Sequence, residues 1–268
     1  MIKPRLLRSA RAALAAACLS LAALPGHANG PEEGLRAARI LPGWVEADGR
    51  RIVALELDLA EGWKTYWRSP GEMGLPPRFD WTGSGNLVRA EPLWPEPTIF
   101  PSRLGDVIGY KGEVILPIAL QPAEPGAPIE LDALVEIGVC AEVCVPVSMH
   151  LAARLDGHGA SDPRIRAALA DRPARIAADA RCRIDAAGRD LALTAAIAAP
   201  DLGGEETAIV ETGDPHLYAI GTESERRGGT LHVRSTLAGG TAGVNRGALR
   251  FTLVGAGGAV EILGCTAN

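Results

Sequence analysis

The sequence predicts an all-β protein made of two β-sandwiches, the second smaller than the first, joined by a short helical connector. Three observations carry this. Apolar runs are short, several alternate with polar residues, and frequent turn formers (32 Gly and 20 Pro) bound them, the pattern of sandwich strands. Helix-favouring composition is confined to one stretch near residues 160–180. Aromatic usage splits the chain: all five tryptophans (Trp44, Trp63, Trp67, Trp81, Trp94) precede residue 100, whereas Tyr218 and Phe251 are the only aromatics beyond residue 150. Two cores of different composition imply two domains.

Taken in order, residues 1–28 read as a secretory signal. Lys3, Arg5, Arg8 and Arg11 supply a basic start, residues 12–24 a short apolar core, and Pro25-Gly-His-Ala28 a small-residue cleavage site. That core is too short for a membrane span. Cys18 lies within it, but Ala15-Ala-Ala17 lacks the large apolar residue a lipid-attachment site carries, so a lipid anchor is not expected. Cleavage removes four of the 27 basic residues and none of the 32 acidic ones, leaving a net charge of −9. Such a surface repels phosphate backbones, and no basic stripe interleaves with aromatics; nucleic acid is excluded as a partner.

Residues 29–158 form the first expected domain. Arg51–Leu59 alternates, with Val53, Leu55, Leu57 and Leu59 on one side, and residues 114–120, 129–139 and 145–155 are further strands. Between Trp63 and Pro101 runs an irregular Trp/Pro/Gly-rich segment, too long for a hairpin loop and of the kind that carries function. Residues 159–180 are the connector: Ser161 or Asp162 can cap a helix and Pro163 suits its first turn. Residues 181–268 form the second domain, with strands expected at 182–198, 208–218, 229–235 and 248–263 and loops at the Gly/Ala clusters 237–247 and 255–258.

Four cysteines remain after cleavage: Cys140, Cys144, Cys182 and Cys265. An even number in an exported chain argues for disulfides, and of the three possible pairings Cys140–Cys144 with Cys182–Cys265 is the most economical. Closing a loop of roughly 80 residues stabilises by ~4.5 kcal/mol in the chain-entropy model, against ~2 kcal/mol for a ring of about five. Cys182–Cys265 is thus a structural staple for a small, aromatic-poor core. The Cys140–Cys144 ring has little structural justification. If Ala141-Glu-Val143 is a three-residue hairpin loop, the two cysteines face each other within disulfide range.

Spacing alone leaves three readings of that pair: a second structural bridge, thiol–disulfide exchange, or Cu(I) ligation by Cys140 and Cys144 with Met149 and His150, whose soft sulfur and imidazole donors suit that ion. Met149 is also in phase with the apolar face, which makes core packing its plainer role. Glu142 stands between the cysteines as a turn residue that could also accept a proton. No cofactor is implied: nucleophile-elbow, phosphate-loop and dinucleotide patterns are missing.

Five ordered motifs go further. Gly62-Trp-Lys-Thr-Tyr-Trp-Arg-Ser-Pro-Gly71, Gly74-Leu-Pro-Pro-Arg-Phe-Asp-Trp81, Leu93-Trp-Pro-Glu-Pro97, Ile108-Gly-Tyr-Lys111 and Val139-Cys-Ala-Glu-Val-Cys-Val-Pro146 together resemble the N-terminal periplasmic domain of the DsbD/ScsB thiol–disulfide interchange family, especially its ScsB-like branch, over about residues 40–155. The resemblance implies an immunoglobulin-like sandwich whose Cys140 and Cys144 cycle between dithiol and disulfide in the periplasm. It implies a membrane-embedded electron donor, and as recipients periplasmic thioredoxin-like or disulfide-bonded proteins serving disulfide isomerisation, cytochrome c maturation or copper tolerance. It also implies a cap loop shielding the pair, expected within residues 66–81. Exchange requires an exposed thiolate nucleophile and a resolving partner; Cys144, next to Val145-Pro146, is the preferred nucleophile.

Overall fold

The computed structural model describes residues 34–267, apart from 73, 103, 104, 241 and 242; the expected signal segment, with Cys18, lies outside them. Ten strands come first: β1 (Leu35–Val45), β2 (Arg51–Leu59), β3 (Lys64–Tyr66), β4 (Arg78–Asp80), β5 (Leu87–Pro92), β6 (Thr98–Phe100), β7 (Val107–Lys111), β8 (Glu113–Pro122), β9 (Ile129–Cys140) and β10 (Cys144–Leu155). They make one sheet of order β1-β2-β8-β5 and a second of order β10-β9-β3-β7-β6, with β4 also on β9. The inner faces enclose a core from Val53, Leu55, Leu57 and Leu59 on one side and Leu131, Ala133, Val135 and Val139 on the other. This is the immunoglobulin-like sandwich expected from the sequence; of the four strands expected first, β2, β8 and β9 lie inside its sheets and β10 forms an edge.

Alternation in β2 understates its burial. Ile52 and Ala54, on the face away from the core, are also buried, because helix α1 (Pro163–Ala170) lies over them and inserts Ile165 among Leu41, Trp44, Ile52, Ala54 and Ala119. Eight residues are too few for a helix to persist alone. Asp162 caps it by accepting from the Arg164 amide, Pro163 opens it, and burying Ile165 contributes ~2 kcal/mol. Arg164 and Arg39 both pair with the buried Glu56. The helix is shorter than the expected 160–180 connector. It ends at Asp171, Pro173 follows, and the chain returns to β structure at once.

The second sandwich comprises β11 (Ala174–Arg175), β12 (Asp179–Ala187), β13 (Asp190–Ala198), β14 (Thr207–Glu211), β15 (Tyr218–Arg227), β16 (Thr230–Ala238), β17 (Arg250–Gly255), β18 (Gly258–Leu263) and β19 (Thr266–Ala267). Its sheets run β11-β18-β17-β14 and β15-β16-β13-β12-β19. Residues 182–198, expected as one strand, are a hairpin that turns at Gly188, whose φ of +68° suits glycine. Likewise 208–218 spans the end of β14 and the start of β15, and 248–263 is the β17–β18 hairpin. The outer face of the β17 sheet is covered too. Ile209 and Val254 meet Trp67 and Ile108 of the first sandwich in a buried apolar seam.

Candidate functional site

Strands β9 and β10 pair in unbroken antiparallel register from Ile129↔Leu155 to Cys140↔Cys144. The loop between them is the expected three residues, closed by the Ala141 amide donating to the Val143 carbonyl (3.2 Å). Direct opposition brings the two cysteine Cα atoms to 4.1 Å, and their sulfurs are bonded. Burial separates them: Cys140 is 7 % exposed, whereas Cys144 lies in the open beside Glu142 and Val143.

On the other side of β9 lies β3, with Lys64 opposite Cys140. Side chains alternate along a strand, so Lys64 and Tyr66 share the face of Cys140 and Gly138. The Lys64 ammonium sits over the Phe100 ring at 5.3 Å. The buried Tyr66 reaches the disulfide: its hydroxyl lies 2.9 Å from Sγ of Cys144 and 2.9 Å from Sγ of Cys140. Sulfurs bonded to each other carry no proton, so the phenol is the donor. Burial pushes its pKa above the usual tyrosine value, which keeps that proton in place at neutral pH. Gly138 makes room for the ring. A Cβ there would stand 2.6 Å from Tyr66 and 3.2 Å from the Leu75 Cβ.

Strands β3 and β4 lie in line along β9, β3 against residues 139–140 and β4 against 134–136. The chain between them leaves the sheet opposite Ile137 and Gly138, next to the disulfide. Its first limb, residues 67–72, is tied to β7 by the Trp67 amide donating to the Ile108 carbonyl (2.9 Å) and the Ile108 amide donating to that of Pro70 (3.1 Å). Its second limb carries Leu75 over Gly138. This excursion falls within the 66–81 span in which a cap loop is expected.

The other residues singled out from the sequence lie elsewhere. Met149 is buried in the core of the first sandwich, and His150 points outward toward Asp132 (3.7 Å). They stand on opposite faces of β10, with Met149 five residues from Cys144, or ~16 Å along a strand. The structure does not bring this proposed Cu(I) set together, and among the described residues no group of three His, Cys, Asp or Glu converges. Cys182, fully buried on β12, is bonded to Cys265, between β18 and β19, with the Cα atoms 5.8 Å apart. Trp81 stacks on Phe79 (5.6 Å) and Trp94 meets Phe79 edge-on; both pack against the core. Tyr66 was not singled out in the sequence, although it lies in the first quoted motif. The signal was there: Lys64 and Tyr66 alternate onto one face directly before the irregular segment.

The first sandwich is similar to known proteins. The family described as thiol:disulfide interchange protein DsbD, N-terminal, matches residues 37–155. A search of curated proteins found no match. Among solved structures, the N-terminal periplasmic domain of ScsB from Proteus mirabilis is similar at 24 % identity with a TM-score of 0.64, covering 84 % of this chain and 90 % of that one. The DsbD N-terminal domain of Neisseria meningitidis in its reduced form is 21 % identical over 48 % of this chain and 90 % of its own, with a TM-score of 0.29. Among the described residues no helix is long and apolar enough to cross a membrane. Residues 37–155, the first sandwich with its Cys140–Cys144 hairpin, thus match the family of DsbD N-terminal domains, described as thiol:disulfide interchange proteins.

Proposed function

We propose that the chain is a periplasmic relay of reducing equivalents, with Cys144 as nucleophile and Cys140 as resolving thiol. One observation carries the reading: the disulfide sits at a hairpin tip with one cysteine exposed and the other buried, the asymmetry that exchange requires. A thiolate of a membrane-embedded dithiol donor attacks Sγ of Cys144 and releases Cys140 as thiolate. The donor's second thiol resolves the mixed disulfide, leaving the donor oxidised and this pair reduced. The Cys144 thiolate then attacks the disulfide of a thioredoxin-like or otherwise disulfide-bonded periplasmic protein. Cys140 displaces the reduced recipient and restores the starting bond, so two electrons and two protons have passed. The Tyr66 hydroxyl, within reach of both sulfurs, supports the thiolate at each step. The cap loop implied within residues 66–81 is proposed to shield the buried Cys140, with Leu75 placed over Gly138.

Trapping tests this assignment. Cys140→Ser should accumulate a mixed disulfide with an oxidised partner through Cys144, and Cys144→Ser should not. In a redox titration with mass-spectrometric mapping, Cys140–Cys144 should reduce at a higher potential than Cys182–Cys265. Equal resistance of both pairs to reduction would remove the exchange role.

A further inference from the structure

A cavity of about 460 Å³ lies where the two sandwiches and the stretch after α1 come together, and four arginines line it: Arg68, Arg172, Arg175 and Arg250. They arrive from separate elements, Arg68 from the chain after β3, Arg172 from just beyond α1, Arg175 from β11 and Arg250 from the start of β17. Two carboxylates, Glu91 and Glu261, line it as well. Guanidiniums gathered around one cavity repel each other, and a chain of net charge −5 has no general excess of them. Internal pairing leaves part of this charge unspent. Glu261 pairs with Arg68 (2.8 Å) and Arg175 (2.9 Å) and stands 3.5 Å from Nε of Arg250. Glu211 takes the fork of Arg68 at 2.9 Å, and Glu91 leans on Arg89 of its own strand (3.1 Å). Counting Arg89 and Glu211, five guanidiniums face three carboxylates. Arg172 makes no hydrogen bond or ion pair among the described residues, and Arg250 has only its pair with Glu261.

We infer that this cavity binds a small phosphate monoester, a dianion carrying an apolar group. A tetrahedral phosphate points its terminal oxygens in different directions, which suits guanidiniums that approach from different elements. A carboxylate has two oxygens in one plane and is served by a single fork. Leu93, Trp94 and Pro173 supply apolar wall for the organic part of the ligand. Apolar walls with a few aimed polar groups, set at a domain boundary, are the usual make-up of a small-molecule site. Arg172 and Arg250, whose donors are the least engaged, are the residues that hold the phosphate. The site uses neither Cys140 nor Cys144 and stands whether or not that pair exchanges electrons.

Calorimetric titration of the full-length chain at fixed ionic strength tests this, with phenyl phosphate as the probe. One equivalent should bind saturably, about tenfold more tightly than benzoate, a planar monoanion, or diethyl phosphate, a monoanionic diester of the kind lipid headgroups carry. Arg172→Gln, which breaks no contact of the folded chain, should weaken phenyl phosphate about tenfold, and so should Arg250→Gln, as expected for losing a charge-assisted hydrogen bond. Arg172→Gln alone decides the matter if Arg250→Gln does not fold. Glu91→Gln, which takes a half-exposed carboxylate off the rim, should tighten binding roughly twofold; a merely structural role for these side chains gives no such gain. Arg181→Gln, an exposed arginine of β12 paired with Asp179, should leave the affinity as it is. No saturable binding, equal affinity for the three anions, or an unchanged affinity in folded Arg172→Gln would overturn the site.

Discussion

The phenol of Tyr66 has two acceptors at equal distance, and reduction of the disulfide makes them unequal. A thiolate is a stronger acceptor than a thiol, and a hydrogen bond to a charged group contributes ~1.5–3 kcal/mol where a neutral one gives about 1. The hydroxyl therefore favours whichever sulfur is ionised, and from the geometry it can serve either. Tyr66→Phe keeps the ring on Gly138 and removes only the donor. The expected outcome is a roughly tenfold lower thiolate fraction at Cys144 in the reduced protein at neutral pH, read from the pH dependence of iodoacetamide alkylation. An unchanged profile would leave Tyr66 as packing alone. The spacing of Cys140 and Cys144 was legible as a hairpin pair, but the tyrosine was not. Its place depends on β3 pairing with β9 across more than seventy residues, and local sequence does not encode that register.

Among elements, β15 shows most clearly what pattern reading passes over. Tyr218–Arg227 reads YAIGTESERR, with four charges in its last five residues and little apolar alternation. It is an edge strand, paired only with β16 in its sheet, and charge on an edge discourages pairing with other chains. Strands such as β2, β9 and β10 announce themselves because each lays a full apolar row into a core. The short strands β3 to β6 do not, and so 63–101 reads as irregular. One charge on β15 has an inward role: Arg226 forks onto Glu206, whose side chain is 3 % exposed, and also donates to the carbonyls of Ala199 and Pro200. The hydrogen bond from Arg226 holds the Glu206 carboxyl below its ordinary range against the opposing effect of burial. Its folded pKa thus lies below the unfolded one. The stabilisation is complete above the ordinary glutamate value of ~4.3 and is lost as pH falls through the depressed folded value. Glu206→Gln should cost about 3 kcal/mol at neutral pH. The difference from wild type should shrink as pH is lowered from about 4.5, in denaturant titrations at successive pH values. A constant difference would mean that the pair contributes no charge-dependent stability.

Across the whole molecule the two disulfides differ most in ring size, with sequence separations of 4 and 83. Cys182–Cys265 spans 83 residues and ties β12 to the chain end of its own sandwich. Replacing both cysteines by alanine should lower the unfolding free energy by ~4 kcal/mol, whereas the same change at Cys140 and Cys144 should lower it by ~2 kcal/mol or less. Comparable losses in chemical denaturation would contradict that difference. The two-sandwich layout was visible beforehand in the uneven distribution of tryptophan, and the seam between the sandwiches was not. The seam places Thr252 and Glu261 in buried positions, and polar residues on an outer sheet face give no warning that a neighbour will cover them. The β9–β10 ladder has one more consequence. Twelve register pairs, without a bulge, hold Cys140 opposite Cys144, so the backbone keeps the two sulfurs adjacent whether or not they are bonded. A reduced form that keeps this ladder would share the hairpin's shape, so a partner could tell the two apart only by testing reactivity, as a key is tried in a lock already the right size.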